Sequence, residues 1–361
     1  MPLNKITTND FTDQSFFVGL DVHKKSWSVT VRTCGIEVEH FTQTPDPLKL
    51  VQHLQGRFKG AEFHSAYEAG FSGTWAHTAL CQAGIHNRII HPGDLPLTDK
   101  QKNNKTDLHD SRAIAKYLES DLLKGIYIMS AEQQQRRALF RLRQNIVKDT
   151  TRSHCRLKGL INYFGVQLPA IFEEKKYISR NFLAWLKKLQ LSTPQGTETL
   201  QYYIEELIHQ RNRLLLVTRK LRLVIKEQYK QQFVCLLTVP GFGPITTIGL
   251  LTETGDLNRF NKAPNEFASY LGVVPAERGS GDKIYSNHIQ PRCNRILRPL
   301  LIEAAWQAIR QSPALLSYYK KHAGRNNKKA IIKVCRKLVF IAKAVALSQQ
   351  PYIEPGGNGS H

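Results

Sequence analysis

Hydrophobic residues in the first third of the chain change period repeatedly, from the alternation of strands to the spacing of helices. The predicted strands cover residues 18–21, 27–33, 35–41, 63–67 and 86–90. The predicted helices of this part cover residues 48–58, 73–83 and 107–118. Three successive strands followed by alternating helices and strands predict an α/β domain that opens with an antiparallel meander.

The middle of the chain has helical spacing over two long segments. Residues 131–163 contain no proline and a single glycine, Gly159, so they predict one continuous helix, and residues 197–229 predict a second. The basic residues of the first helix are Arg136, Arg137, Arg141, Arg143, Lys148, Arg152, Arg156 and Lys158. The first three are candidates for nucleic-acid contact. The two segments predict an antiparallel hairpin or coiled coil, with two ordinary packed helices as the alternative.

A Val-Pro-Gly-Phe-Gly-Pro segment at residues 239–244 separates two further helical patterns. It resembles a helix-hairpin-helix, in which Gly241 and Gly243 would let the backbone approach a phosphate near a helix N-terminus. A plain connector between two helices is the alternative interpretation.

The last part of the chain is strongly basic. From residue 291 onward, the chain has thirteen lysines and arginines but only two acidic residues, Glu303 and Glu354. Arg292, Arg295 and Arg298 have i,i+3 spacing, which predicts one helix face that contacts a nucleic-acid backbone. A solvated face is the alternative. The changes in pattern predict an α/β domain over residues 1–130, a helical hairpin over 131–232, a mainly helical domain over 233–350 and a disordered tail over 351–361.

Four acidic residues lie on segments suited to metal binding. Asp21 ends the first predicted strand, Glu68 follows a later one, and Asp107 and Asp110 share one face of a helix through their i,i+3 spacing. Carboxylates that a fold brings together repel one another unless cations neutralise them, and their hard oxygens suit Mg²⁺ or Mn²⁺. Ordinary surface carboxylates and helix caps are the alternative for each residue taken singly.

Net charge narrows the choice of partner. The chain has 51 Lys and Arg against 29 Asp and Glu, a formal net charge of +22, which favours a polyanion such as DNA or RNA. An anionic membrane is the competing partner, but no run of 18 apolar residues occurs, so we expect a soluble cytoplasmic protein without membrane attachment. The six cysteines form no CxxC pair and predict no zinc site.

Several motifs occur in an order that resembles a known family. They are Gly-Leu-Asp-Val-His-Lys at 19–24, Tyr-Glu-Ala at 67–69, Lys-Thr-Asp-Leu-His-Asp-Ser at 105–111, the segment at 239–244, Phe-Ala-Ser-Tyr-Leu-Gly-Val-Val-Pro at 267–275 and Gly-Ser-Gly-Asp-Lys at 279–283. Together they resemble the DEDD transposases of insertion sequences, relatives of the Piv-type DNA invertases. The resemblance implies an N-terminal RuvC-like, ribonuclease-H-like domain and a C-terminal transposase domain.

The resemblance also implies roles for individual residues. Asp21, Glu68, Asp107 and Asp110 would be the metal ligands, and Ser280 would be a nucleophile that forms a covalent phosphoserine. Without the family, the segment around Ser280 predicts only a β-turn, and Ser286 is a weaker candidate nearby. Lys24 and Lys283 are candidates for nucleic-acid contact, and for Lys24 a plain turn at the end of the strand is the favoured alternative.

The family further resembles RNA-guided recombinases. A non-coding guide RNA from the element would pair with donor and target double-stranded DNA, and the enzyme would be a homo-oligomer, dimer or tetramer, assembled through the helical hairpin. The rival functions are a RuvC-like junction nuclease that uses metal-activated water and a non-catalytic nucleic-acid-binding scaffold. An actin-like ATPase is disfavoured, because no glycine-rich phosphate loop follows the first strand.

Overall fold

The computed structural model describes residues 10–96, 107–173, 179–261, 263–276, 278–280, 283–285, 288–324 and 326–354. For residues 107–108, 173, 278–280 and 283–285 the description covers the backbone alone. The chain divides into two compact units, Met1–Ile128 and Met129–His361.

The first unit is built on a five-stranded sheet. Its strands are β1 (Ser15–Val22), β2 (Trp27–Thr33), β3 (Ile36–Gln43), β4 (Glu62–Glu68) and β5 (His86–Ile90). Its helices are α1 (Pro47–Arg57), α2 (Trp75–Gln82) and α3 (Asp107–Glu119), and a 3₁₀ turn covers Pro92–Asp94. The strand order is β3-β2-β1-β4-β5, with β1, β2 and β3 antiparallel and β1, β4 and β5 parallel. The predicted α/β organisation and its opening meander are confirmed.

The two faces of β1 explain how helices cover the sheet. Phe16, Val18 and Leu20 alternate onto one face, where they join a buried cluster with residues of α1 and α2. The other face carries Gly19, and the backbone of α3 lies directly against it. Alternating side chains of a strand point to opposite faces, so a single eight-residue strand supports both layers.

In the second unit, two long helices form an antiparallel pair. Helix α4 (Ala131–Tyr163) has 33 residues, and α7 (Pro194–Gln228) has 35. Arg143 donates to Thr218, and ten residues further along α4, Ser153 donates to Glu206. Higher residue numbers in α4 thus pair with lower numbers in α7, so the two helices are antiparallel. The predicted antiparallel hairpin is confirmed. Between them in the chain lie α5 (Ala170–Glu173) and α6 (Arg180–Lys188). Their apolar side chains pack where the end of α4 meets the start of α7.

Shorter helices surround the main core of the second unit. They are α8 (Lys230–Leu236), α9 (Pro244–Thr254), α10 (Glu266–Leu271), α11 (Leu297–Gln311), α12 (Pro313–His322) and α13 (Asn327–Ser348), with a 3₁₀ turn at Leu257–Phe260. Strands β6 (Arg278–Ser280) and β7 (Lys283–Tyr285) form a separate antiparallel ribbon. Within the described helices, none is long and apolar enough to cross a membrane.

Two sequence predictions about this unit are wrong. Arg292, Arg295 and Arg298 do not share a helix face, because α11 begins only at Leu297 and the segment before it is tied to α10 by a hydrogen bond from Asn294 N–H to Tyr270 O. The disordered tail predicted over residues 351–361 is also wrong for its first four residues. Tyr352 N–H donates to Thr238, and the Glu354 carboxylate accepts hydrogen bonds from Ser312 and Ala314, so residues 351–354 lie on the folded unit. Residues 355–361 lie outside the described part.

Candidate functional site

Asp21 and Glu68 lie at the same edge of the sheet, on neighbouring parallel strands. In the register of β1 and β4, Leu20 pairs with Tyr67, so the next residue of each strand is an acidic one. Both side chains are partly buried. The carboxyl ends of parallel strands open onto one edge, and the two carboxylates share that edge.

Helix α3 runs antiparallel to β1, as its contacts with β2 demonstrate. Ser111 Oγ lies 3.1 Å from Ser28 Oγ and 2.9 Å from Thr30 Oγ1. Eight residues later, Glu119 Oε2 accepts a hydrogen bond of 2.9 Å from Arg32 Nε. In the β1–β2 register, Ser28 pairs with Asp21 near the end of β1, and Arg32 pairs with Phe17 near its start. Helix α3 therefore runs from the end of β1 toward its start. Its first turn, which carries the Asp107 and Asp110 positions, therefore lies at the edge occupied by Asp21 and Glu68.

Gly19 allows this close approach of helix and strand. A Cβ at this position would overlap the carbonyl oxygen of Ser111 and come within 2.5 Å of Ala115 N. In the sequence, Gly19 stands out only as part of a motif. An isolated glycine inside a strand pattern is a general signal of close backbone approach, and that signal could have identified the helix contact.

The edge offers oxygen donors of the kind that Mg²⁺ and Mn²⁺ prefer. The backbone positions of all four predicted ligands converge there, but the Asp107 side chain lies outside the described part. Among the side chains that are described, no group of three or more His, Cys, Asp and Glu is arranged to hold a metal ion. The donor chemistry and the shared edge fit a magnesium site, and the metal-ligand role itself remains a prediction.

A histidine and a lysine follow Asp21 in the turn between β1 and β2. His23 Nε2 lies 3.1 Å from Asp21 Oδ2, and the His23 amide donates to Ser26 O, which closes the turn. Lys24 is exposed at the tip of the same turn. The imidazole fixes the orientation of one carboxylate, and the ammonium group adds positive charge beside the acidic edge.

Of the three arginines predicted to bind nucleic acid on α4, two make defined contacts within the protein. Arg136 lies 3.5 Å from Glu132 and stacks over the Tyr229 ring at 5.6 Å. Arg137 is held near Arg141, and burial together with that neighbouring charge lowers the pKa of Arg137. Arg141 forms a bidentate ion pair with Glu253, with both nitrogen–oxygen distances at 2.8 Å.

Glu253 is the centre of a network that the sequence did not predict. Its side chain has 0% exposure, and its Oε2 also accepts a hydrogen bond of 3.1 Å from Asn294 Nδ2. Tyr270 donates to the Glu253 carbonyl, and the Asn294 side chain accepts from the amides of Ile296 and Leu297 at the start of α11. Hydrogen bonding to Glu253 raises the pKa of Arg141. The pair therefore connects α4, α9, α10 and α11, which gives Arg141 a structural role.

The two glycines of the Pro-Gly turn differ in their surroundings. Gly241 has a positive φ of 78°, and a Cβ there would overlap the Ala304 carbonyl oxygen of α11. Its N–H donates to Gln311 Oε1 at 2.6 Å, so this amide is already used. Gly243 precedes the first turn of α9 as its N-cap residue, and a Cβ added there would meet no other atom within 4 Å.

The remaining predicted residues lie near β6, β7 and the start of α11. Ser280 and Lys283 are register partners in the ribbon, and their side chains lie outside the described part, as does Ser286. Arg292 and Arg295 are exposed in the segment before α11. Arg298 is partly buried and donates to Gln290 O at 2.9 Å, which fixes that segment against the helix.

Two family models match the chain over the parts that carry these residues. One, for DEDD transposases of the IS110 type, is described as "Transposase" and matches residues 18–164. The other is described as "Transposase IS116/IS110/IS902 family" and matches residues 234–320. The chain belongs to the IS110-type DEDD transposases. It is therefore an enzyme of the DNA transposase and recombinase class.

Individual relatives are similar over most of the chain or over part of it. A transposase for the insertion sequence element IS1111A of Coxiella burnetii is 26% identical over 241 residues, which cover 67% of this chain and 64% of the relative. A protein of Sinorhizobium fredii, named as a candidate transposase, is 25% identical over 92% of both chains. The pilin gene-inverting protein of Moraxella bovis is 32% identical over 32% of this chain and 37% of its own length.

Proposed function

We propose that this insertion-sequence transposase cleaves and exchanges DNA strands with a divalent metal held by Asp21, Glu68, Asp107 and Asp110. The observation that carries the proposal is the shared sheet edge, which follows from the β1–β4 register and the antiparallel course of α3. In the same proposal the first unit is a RuvC-like, ribonuclease-H-like domain. Its meander and the acidic ends of its strands support that assignment.

The chain's own residues prepare this edge for a phosphodiester. Bound Mg²⁺ or Mn²⁺ would neutralise the carboxylates and stabilise the charge of the transferring phosphoryl group. His23 holds the Asp21 carboxylate in one orientation through the 3.1 Å contact. Lys24, exposed in the same turn, attracts the nucleic-acid backbone.

Ser280 supplies the nucleophile in this proposal. Its hydroxyl oxygen attacks the phosphorus of a DNA phosphodiester, and the new O–P bond forms as the P–O bond to the leaving deoxyribose oxygen breaks. The serine proton is released and the leaving oxygen takes up a proton. A DNA hydroxyl then reverses the step on the phosphoserine, so the strands rejoin without an external energy source. Support comes from the family match over residues 234–320 and from the Gly-Ser-Gly motif.

A guide RNA and an oligomer complete the proposed reaction. A non-coding RNA encoded by the element pairs with donor and target DNA, and two duplexes are held by a dimer or tetramer that assembles through α4 and α7. The net charge of +22 and the basic residues of α4 and the C-terminal region support binding of more than one nucleic acid. Lys283, Arg292, Arg295 and Gly243 are further proposed contacts, with Gly243 at a helix-hairpin-helix turn.

A covalent-adduct experiment tests the nucleophile. The parent enzyme, given guide RNA, duplex DNA and Mg²⁺, should form a protein–DNA adduct that survives denaturation and disappears on protease treatment. Ser280→Ala should still bind DNA and form no adduct, and Ser286→Ala serves as the neighbouring control that keeps it.

Other outcomes select a rival. An adduct that persists in Ser280→Ala would transfer the nucleophile to Ser286 or to a tyrosine. DNA cleavage without an adduct in any variant would favour the junction nuclease that uses metal-activated water. Binding without cleavage under every condition would favour the non-catalytic scaffold.

A further inference from the structure

Helix α13 carries a row of exposed lysines along one side. Lys329, Lys333 and Lys337 recur every four residues and are all exposed, and we name them the lysine stripe. The opposite side of the helix, which includes Ile331 and Cys335, is buried and belongs to the main core. Packing therefore fixes the orientation of α13 and directs the stripe to solvent.

The stripe is electrostatically unfavourable in the protein alone. Like charges at i,i+4 on a helix destabilise it by a few tenths of a kcal/mol per pair. Lys328 and Lys329 lie in the first turn, which contains no acidic residue, where cations oppose the helix dipole. In the described part of the chain, no carboxylate forms an ion pair with a stripe lysine. An anionic partner that binds the stripe would relieve this repulsion and offset the loss of stability.

Helix α12 extends the same basic surface. Lys333 Nζ lies 3.3 Å from His322 Nδ1, and Lys337 Nζ lies 4.8 Å from the centre of the Tyr318 ring. Burial first, and then the charges of Lys333 and Lys321, lowers the pKa of His322. In the tautomer with an unprotonated Nδ1, the imidazole accepts a hydrogen bond from the lysine ammonium group, so His322 positions Lys333 without removing its charge.

The charge of Lys337 lowers the pKa of Glu354, but the Glu354 carboxylate does not neutralise the stripe. Its carboxylate accepts hydrogen bonds from Ser312, Ala314 and Tyr352. Lys337 acts on it only through space. The carboxylate is thus engaged with the end of α11 and the start of α12, and the stripe keeps its positive charge.

We propose that the lysine stripe binds the sugar–phosphate backbone of duplex DNA. This inference rests on the proposed function as a strand-exchanging transposase. At about 1.5 Å per residue, successive stripe lysines advance about 6 Å, close to the rise of two nucleotides of one strand along the axis of B-DNA, about 7 Å. Lysines on flexible stems contact phosphates without reading bases, so the surface adds affinity and not sequence specificity. Helix α13 follows residue 320, the last residue of the family-model match.

The salt dependence of DNA binding tests the surface. The probe is a 30-bp duplex without an insertion-site sequence, and the variant is Lys329→Gln/Lys333→Gln/Lys337→Gln. Losing three phosphate contacts should reduce the slope of log affinity against log salt by about 2.7, so the parent loses roughly 40-fold more affinity than the variant between about 50 and 200 mM salt. The control Lys49→Gln/Lys59→Gln/Lys124→Gln removes the same charge from exposed sites of the first unit and should keep the parent slope.

Two more measurements make the result decisive. A Lys→Arg variant at the three stripe positions should keep the parent slope, and the Gln variant should melt no lower than the parent, because it relieves like-charge repulsion. An unchanged slope in the Gln variant overturns the proposal, and so does an equal loss in the control. Loss of binding to duplex RNA alone, with duplex DNA unaffected, also overturns it. Binding needs neither the metal nor Ser280, so a missing adduct with an altered slope rejects the proposed chemistry and leaves the stripe standing.

Discussion

At the residue scale, the Arg141–Glu253 pair determines what a single substitution does to the second unit. Glu253 has 0% side-chain exposure and Arg141 has 46%. Arg141→Met leaves a buried carboxylate without its cation, which typically costs about 3–5 kcal/mol of unfolding free energy. Glu253→Gln leaves an arginine that water can reach, so we expect it to cost less, about 1–3 kcal/mol. Urea unfolding of both variants measures the order.

An exposed ion pair on the same helix is the matched control. Arg152 Nη2 lies 2.8 Å from Asp149 Oδ1, but its side chain is 66% exposed. We expect Arg152→Met to cost less than about 1 kcal/mol, because exposed ion pairs contribute little. Equal losses for Arg141→Met and Arg152→Met would contradict the structural role of the Glu253 network.

Also at the residue scale, Asp21→Asn tests the acidic edge. The substitution keeps the shape of the side chain and removes its charge, so folding should be unaffected while adduct formation and strand exchange stop. Circular dichroism and the adduct assay measure the two effects. Asp121→Asn, at an exposed carboxylate of the same unit, should leave both unchanged. Full recombination by Asp21→Asn in Mg²⁺ would exclude Asp21 as a metal ligand.

At the scale of elements, the contact of β1 with α3 depends on Gly19. A Cβ there would overlap the backbone of Ser111, so Gly19→Ala must displace the helix that carries Asp107 and Asp110. We expect a loss of about 1–3 kcal/mol in unfolding free energy together with loss of adduct formation. Gly56→Ala is the control, because Gly56 lies in helix α1 with open space around it and alanine should stabilise a helix interior by about 0.5–1 kcal/mol.

The segment that follows α13 is held by a carboxylate with a shifted pKa. Burial disfavours the charged form of Glu354, but hydrogen bonds from Ser312, Ala314 and Tyr352 outweigh it and lower its pKa. A lowered pKa contributes stability that is present above the ordinary value of 4.5 and is lost as pH falls through the folded-state pKa. Unfolding free energies of the parent and Glu354→Gln should therefore differ at neutral pH and converge in acid. A constant difference over that range would contradict the assignment.

At the scale of the whole molecule, the chain has two units with separate cores. The sheet and its helices bury one set of side chains, and the helices after residue 129 bury others. We expect unfolding to show two transitions, because separate cores do not require one cooperative step. Gly19→Ala should shift one transition and Arg141→Met the other, as followed by calorimetry. A single transition shifted equally by both variants would contradict independent units.

Sequence patterns predicted much of this architecture and part of the candidate site. The period of hydrophobic residues identified the five strands, the two long helices and the helix at Asp107, because one face of each must be buried. It failed at Arg292 and Arg295, where i,i+3 spacing occurs without a helix. The spacing of residues cannot predict the hydrogen bond from Asn294 N–H to Tyr270 O, which joins this irregular segment to a distant helix.

By itself, the sequence determined which residue types are available at each point of the chain. It determined the excess of positive charge, the acidic residues at the ends of predicted strands, and the motifs that led to the family. These features are local or compositional, so they can be read without knowing which segments meet.

Only the tertiary structure decided which of these residues come together. The β1–β4 register and the antiparallel course of α3 bring Asp21, Glu68 and the first turn of α3 to one edge. Arg141 and Glu253 are 112 positions apart, and no local pattern predicts that one neutralises the other. The orientation of the lysine stripe likewise depends on which side of α13 is buried. Each outcome follows from contacts between distant segments, since burial and pairing are properties of the folded chain.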